Sequence, residues 1–329
     1  MSAPLAQRLT SLFPEPAQRA LDQLSGELYA STQSVLLENS HVIRDAALTR
    51  ASGLSPSGLW VQALNQNGRL DGDGNAAKVS HSNTGVMIGA DHGFDQGTRA
   101  GLLFANSQGR VNTGSAGKAS LDTVQFGLHA GHSWNAFRLY GGLAYARNTI
   151  QSKRRVSFAD IDEGLSANYL SHTRQLFIEG NYRLSYDAWA LQPYVQLAHV
   201  RVRNDGFSER GGQSALQSSK TSSAVNLSTA GVRFNLDLSQ RQIGPSWLSF
   251  NAGLAYTHAS GDLQPTTQVA WQGASSQRIA GAPLSSTVQL DLGAVARLSR
   301  GSTLSLNLND QRSKRSREQG VTAQYQYTF

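Results

Sequence analysis

Few residues in this chain are spaced for chemistry, and each grouping fails a specific test. Asp71-Gly-Asp-Gly-Asn75 opens like a calcium-binding EF-hand loop, in which oxygen ligands recur at alternate positions. Such a loop needs glycine at its sixth position and glutamate at its twelfth; Ala76 and Ser82 stand there. The same stretch reads G-x-G-x-x-A through Gly72, Gly74 and Ala77, but no helix follows to offer its N-terminus to a phosphate. His129 and His132, followed by Ser133, invite a hydrolase reading. On a strand, a separation of three puts the two rings on opposite faces. No G-x-S-x-G and no H-E-x-x-H occurs. Cysteine is absent, so no disulfide framework or thiolate metal site can form. The expectation is a chain with no catalytic residue, no cofactor and no metal.

The formal net charge is +7, which favours anionic partners. Much of the positive charge lies in Lys153-Arg-Arg155 and Arg312-x-Lys-Arg-x-Arg317. Both clusters fall in links between strands. Nucleic-acid binding needs a grooved or aromatic-lined platform, which loop tips do not supply. Lipid phosphates suit these arginines better; plain solvated loop charge is the competing reading.

The elements that carry these residues are legible from about residue 58 onward, where the dominant period is two. Val288, Leu290, Leu292, Ala294, Ala296 and Leu298 share one face. Leu304, Leu306 and Leu308 alternate with Ser305, Asn307 and Asn309; Val124, Phe126, Leu128 and Ala130 oppose Thr123, Gln125 and His129. Helices do not repeat at two, so these are strands. The opposite face carries small residues (Gly127, Gly253, Gly293) and mid-strand charges: Glu179, Arg183, Arg233, Asp237, Asp291 and Arg297. That pattern fits a transmembrane barrel with lipid outside and a polar lumen inside. No run of about 18 apolar residues exists, hence no transmembrane-helix candidate, whereas a barrel strand needs only about 9–11 alternating residues. The mean hydropathy of −0.35 is compatible with that.

Link lengths alternate. Short links are expected near 92–98, 132–136, 186–189, 239–246 and 299–302. Longer polar links are expected near 67–82, 107–120, 151–168, 204–222 and 258–284, with a shorter one near 310–317. Outer-membrane barrels have short turns on the periplasmic rim and long loops outside; a soluble sandwich has no reason to sort its loops so. The count gives about twelve strands, antiparallel and up-and-down. Trp60, Phe94, Trp134, Phe137, Tyr186, Trp189, Trp247, Tyr256 and Tyr327 lie near strand ends, where interfacial girdles place aromatics.

Residues 15–52 break the pattern. Leu21, Leu24, Leu28, Val35, Leu36, Val42, Ile43, Ala46 and Ala47 recur at helical spacing. Pro16 can start such a helix and Gly53 can end it. The helix carries Glu27, Gln33, Glu38, Asn39, His41, Arg44 and Asp45, too polar for lipid and suited to a polar lumen. At the other end Val321, Ala323, Tyr325, Tyr327 and Phe329 make one apolar face that closes on a terminal aromatic.

These two ends carry a specific resemblance. The segment from Leu21 to Ala46 resembles the linker helix that opens autotransporter (type Va secretion) β-domains. The last strand, through Tyr325, Tyr327 and Phe329, is similar to the signal read by the outer-membrane barrel assembly machinery; Gly320 lies further from the end than the usual signal glycine. The resemblance covers essentially the whole chain. It implies a twelve-stranded outer-membrane barrel with the N-terminal α-helix in its lumen, assisting export of an N-terminal passenger. The implied organisation is a passenger remnant or linker over 1–14, a pore-spanning helix over 15–52 and the barrel over 58–329. Glu179, Arg183, Arg233, Asp237, Asp291 and Arg297 would contact the helix. Implied partners are outer-membrane lipid and lipopolysaccharide, the passenger and the assembly machinery, with no nucleic acid; the barrel would be a monomer. Some members cut the passenger within the helix beside an asparagine, and Asn39 holds that position. The alternatives are an outer-membrane channel or porin, which leaves the helix without a purpose, and an outer-membrane hydrolase.

Overall fold

The computed structural model describes residues 3–329 apart from 53–56, 96, 239–246 and 272. Gly53 as a helix end and the link at 239–246 therefore lie outside the described residues.

Twelve long strands follow one another in chain order: β1 (Gly58–Leu70), β2 (Val79–Gly93), β3 (Thr98–Asn112), β4 (Lys118–Trp134), β5 (Phe137–Phe158), β6 (Ile161–Tyr182), β7 (Trp189–Asn204), β8 (Thr221–Asp237), β9 (Leu248–Gly261), β10 (Thr287–Arg297), β11 (Ser302–Ser313) and β12 (Ser316–Thr328). Each pairs antiparallel with its sequence neighbours, and Leu184–Tyr186 adds a short hairpin arm beside β7. β1 pairs with β12 from Gly58↔Thr328 to Leu70↔Ser316, so the sheet closes on itself and has no free edge.

The alternation read in the sequence decides which face looks outward. Ile88 is 52% exposed, Leu176 65%, Leu197 53% and Leu306 51%. Apolar residues of this kind recur on β1 to β12, so the exposed patch is a continuous belt. Such a belt needs a lipid solvent. Aromatics cluster at the rim with the short turns: Phe94, Trp134, Phe137, Tyr186, Trp189, Trp247 and Tyr327 are all exposed. Trp134 stacks with Phe137 at 6.0 Å and Tyr186 with Trp189 at 4.5 Å. Trp60 does not belong to this girdle. It is 3% exposed and faces the lumen, because its position in β1 falls on the inward side of the pleat.

The opposite rim differs from the expected set of long loops. Two of the links, 151–168 and 310–317, are largely strand. β5 and β6 run on as a hairpin to a turn at Ala159–Asp160, and β11 meets β12 at Lys314–Arg315. Alternating residues continue there (Val156, Ile161, Leu165), and the ladder follows them. The links 205–220 and 262–286 are long. They contribute Phe207–Ser208, Leu216–Ser218, Thr266–Trp271 and Gln277–Ala280 to a second, four-stranded sheet. The EF-hand-like stretch is a tight turn: Asp73 accepts the amides of Asn75 and Ala76 at 3.0 and 2.8 Å.

The N-terminal segment is helical but not one helix. It forms α1 (Ala3–Thr10), α2 (Pro14–Leu24), α3 (Glu27–Glu38) and α4 (His41–Ser52). The break between α2 and α3 is Gly26, whose φ of +74° is left-handed and favours glycine. The break between α3 and α4 falls at Asn39–Ser40.

The plugged lumen as candidate functional site

α3 and α4 fill the barrel. Every residue from Glu27 to Leu37 is buried, whichever side of α3 it occupies. A single apolar stripe would not serve a helix surrounded on all sides, which is why α3 mixes Leu28, Val35 and Leu36 with Ser31, Thr32, Gln33 and Ser34. Several of the polar members find individual partners. Ser31 Oγ accepts from the amide of Ala282 at 3.0 Å, and Ser34 Oγ donates to the Ala282 carbonyl at 2.6 Å. Gln33 Nε2 donates to the carbonyl of Val202 at 3.3 Å. The apolar members pack into a core with Leu216, Phe207, Val269 and Trp271 of the long links. The long links therefore wrap the upper part of the plug. Beneath them Val42, Ile43, Ala46, Ala47 and Leu48 of α4 pack on Trp60, Leu64, Met87 and Leu103 of the wall. Small inward residues make room for this: a Cβ on Gly127 would stand 3.4 Å from Ile43 Cδ1.

Charged and amide side chains fix the plug at three levels. At the long-loop rim Arg154 of β5 grips Glu209 through Nε and Nη2, at 2.6 and 2.7 Å. Its Nη1 donates to the carbonyl of Gln23 in α2 at 2.6 Å. Tyr29 of α3 donates to the same glutamate at 2.5 Å. In mid-lumen Gln175 of β6 spans the α3–α4 break: its Nε2 donates to the Ser40 carbonyl at 2.9 Å and its Oε1 accepts from Arg44 at 3.2 Å. His41 Nε2 lies 3.2 Å from Glu318 Oε1 on β12. At the short-turn rim Arg50 holds Asp91 and Gln326 and stands over the Trp60 ring.

None of the wall residues among these is one of the six expected to contact the helix. Glu179 and Arg233 do face the lumen and form a bidentate pair at 2.6 and 2.7 Å, with the guanidinium 3.8 Å above the Tyr194 ring. The pair ties β6 to β8, a bond within the wall. Asp291 is half-buried and accepts from Gln289 beside it. Asp237 and Arg297 end their strands at the short-turn rim and Arg183 follows the end of β6 there; Arg183 donates to Ser185 at 3.2 Å, and Arg297 is exposed. The residues that do hold the plug, Asp91, Gln175 and Glu318, occupy the same inward face. Only their register against the helix distinguishes them. Asn39 caps α3 with φ −61° and ψ −10°, and its side-chain oxygen is buried without a partner. Tyr325 and Tyr327 lie on the outer face of β12 and Phe329 follows its end; they are 41%, 52% and 73% exposed.

A closed twelve-stranded barrel with an apolar belt and a helical plug defines an outer-membrane translocator rather than an open pore. Comparison with known proteins agrees. The autotransporter β-domain pattern matches residues 59–309, and the chain belongs to that family. It is 27% identical over 325 residues to an extracellular serine protease of Serratia marcescens, covering 95% of this chain and 31% of that protein. A second Serratia marcescens protein of the same name is 31% identical over 264 residues, covering 77% of this chain and 25% of its own. The chain thus spans about a third or less of these relatives. The translocator domain of the autotransporter NalP from Neisseria meningitidis has the same fold, with a TM-score of 0.75 at 14% identity, over 93% of this chain and 100% of that one. The β-domain of the Bordetella autotransporter BrkA gives 0.64 at 18% identity, over 84% and 100%. The protein is an outer-membrane barrel of this class, and its translocator function needs no catalytic residue in the barrel.

Proposed function

We propose that this chain exports a passenger joined ahead of α1, and that the passenger is a secreted serine protease. The observation that carries the direction of export is where the N-terminal segment leaves the lumen. α4 ends at the short-turn rim, α3 rises through the bore, and α2 and α1 emerge among the long links. Arg8 of α1 pairs with Asp160 at the tip of the β5–β6 hairpin, 2.8 Å away. Anything attached before residue 3 is therefore delivered to the long-loop side. The protease assignment rests on the name of the Serratia relatives, whose extra length would hold the passenger.

Residues 1–14 serve as the passenger junction, 15–52 as the linker that occupies the pore, and 58–329 as the anchor. The outer face of β12, ending in Phe329, is read by the assembly machinery. Lys153 and the 312–317 cluster meet lipopolysaccharide phosphates. Arg155 and Arg312 each already pair with an aspartate, Asp162 and Asp310, which lowers the charge available for that contact.

The test is surface display. A signal peptide and epitope tag are placed ahead of Ser2, and protease is added to intact cells. Loss of the tag while a folded, heat-modifiable barrel survives is expected. A tag protected until the outer membrane is broken would overturn the reading.

A further inference from the structure

We propose that Glu38, His81 and Glu318 bind a divalent transition-metal ion of the zinc class, which fastens the plug to the barrel wall. Glu38 ends α3, His81 lies on β2 and Glu318 on β12, so one ligand comes from the plug and two from the wall. One donor atom from each residue lies within 4.8 Å of the other two.

The histidine carries the argument. His81 has 0% of its side chain exposed, and neither ring nitrogen has a hydrogen-bond partner. Glu38 Oε2 is likewise buried without a partner. Those two atoms face one another at 3.6 Å, too far for a hydrogen bond. Two donors sharing a tetrahedral zinc ion, each bonded at about 2.0–2.1 Å, stand about 3.3–3.4 Å apart. Buried polar atoms normally have partners, and a cation between these two atoms satisfies both. Imidazole with carboxylates suits a borderline metal better than calcium or magnesium. Two carboxylates offset the charge of a buried dication.

The surroundings hold the ligands in place. Gln66 Nε2 donates to Glu318 Oε1 at 3.3 Å. His41 Nδ1 lies 2.8 Å from the Glu38 carbonyl, which sets its Nε2 against Glu318. His41 is a positioning residue that lies against the Glu318 carboxylate. Metal-site ligands are commonly oriented by such outer partners. The His81 ring lies on the bare backbone of Gly68, where a Cβ would overlap it. The site stands whether or not the export reading holds, because it needs only the docked plug.

The test uses the full chain, refolded in detergent with any affinity tag removed. Cobalt is titrated as a spectroscopic probe and displaced by zinc, and retained metal is measured after gel filtration. One equivalent of zinc per folded chain is expected, with visible cobalt d–d bands that zinc abolishes. His81→Gln and Glu318→Gln are expected to weaken binding about tenfold or more, with the heat-modifiable gel shift certifying each fold. If a wall variant fails to fold, Glu38→Gln on the plug gives the same readout. Folded wild-type chain that retains no metal would overturn the proposal, as would folded variants that bind as tightly as wild type.

Discussion

Arg50 of α4 holds Asp91 of β2 with two guanidinium nitrogens, Nε at 2.9 Å and Nη2 at 2.7 Å, both on Oδ2. Their side chains are 6% and 0% exposed. The pair fastens the end of the plug to the wall at the short-turn rim. Removing Asp91 leaves the Arg50 guanidinium buried without its counter-charge, which costs about 3–5 kcal/mol. Asp91→Ala is therefore expected to lower the denaturant midpoint of the refolded barrel strongly. The double change Arg50→Met with Asp91→Leu should recover most of the loss. Equal destabilisation by the double change would mean that the charges act independently.

Deleting residues 1–50 removes α3, nearly all of α4 and the Arg50 anchor. The lumen they fill is then open to water. In planar bilayers the intact chain should be closed for most of the record, and the deleted chain should give large, steady conductance. Similar traces from both would show that the plug leaves the bore spontaneously.

Gly26 tests the bend between α2 and α3. An alanine there must adopt a left-handed φ, at about 1–2 kcal/mol, and its Cβ would stand 2.6 Å from Leu216 Cδ1. Gly26→Ala should loosen the 205–220 link from the plug, seen as faster proteolysis of that link. Unchanged cleavage would place the bend under no constraint.

Asp73 gives a pH dependence outside the membrane. The amides of Ala76 and Asn75 hold its carboxyl below the usual carboxylate range, helped by Gln264. A depressed folded value means that its contribution is complete above the ordinary aspartate value and is lost as pH falls through the folded one. The 71–78 link should detach from Gln264 in acid, measured as hydrogen exchange at Asn75 and Ala76. Asp73→Asn should remove the pH dependence.

Both chain-end readings have direct checks. Phe329 is 73% exposed, so its deletion should change in vitro stability by no more than about 0.5 kcal/mol. Fewer barrels should nevertheless be inserted in cells, and normal insertion would remove the residue from the assembly signal. For Asn39, a passenger-bearing chain assembled in cells should yield a barrel with the mass expected from Ser40, and Asn39→Ala should stay whole. An intact wild-type chain would show that the linker is not cut.

The barrel was legible in the sequence because a strand reports its own faces: Leu304, Leu306 and Leu308 name the lipid side without reference to any partner. The presence of a helix was legible for the same local reason. What holds the helix was not. Asp91, Gln175 and Glu318 look like any other inward polar residue until the register of twelve strands and the height of the plug are known. Glu179 and Arg233 attracted notice as mid-strand charges, yet they satisfy each other. Trp60 misled because closeness to a strand end says nothing about which way the pleat turns. Glu38, His81 and Glu318 lie too far apart in the chain for any spacing rule to join them.

The pairing of Gly58 with Thr328 sets this junction apart from the other neighbours around the barrel. Each other adjacent pair is bridged by chain at one rim. β1 and β12 are joined by hydrogen bonds alone, so the wall has a single seam that can part sideways without cutting a connection. α4 leads into β1 beside that seam, and Arg50 reaches across it from Asp91 on β2 to Gln326 on β12. The plug thus works as a clasp as well as a stopper: one side chain pins the first-made and last-made portions of the wall together, and a linker that left the bore would take that clasp with it.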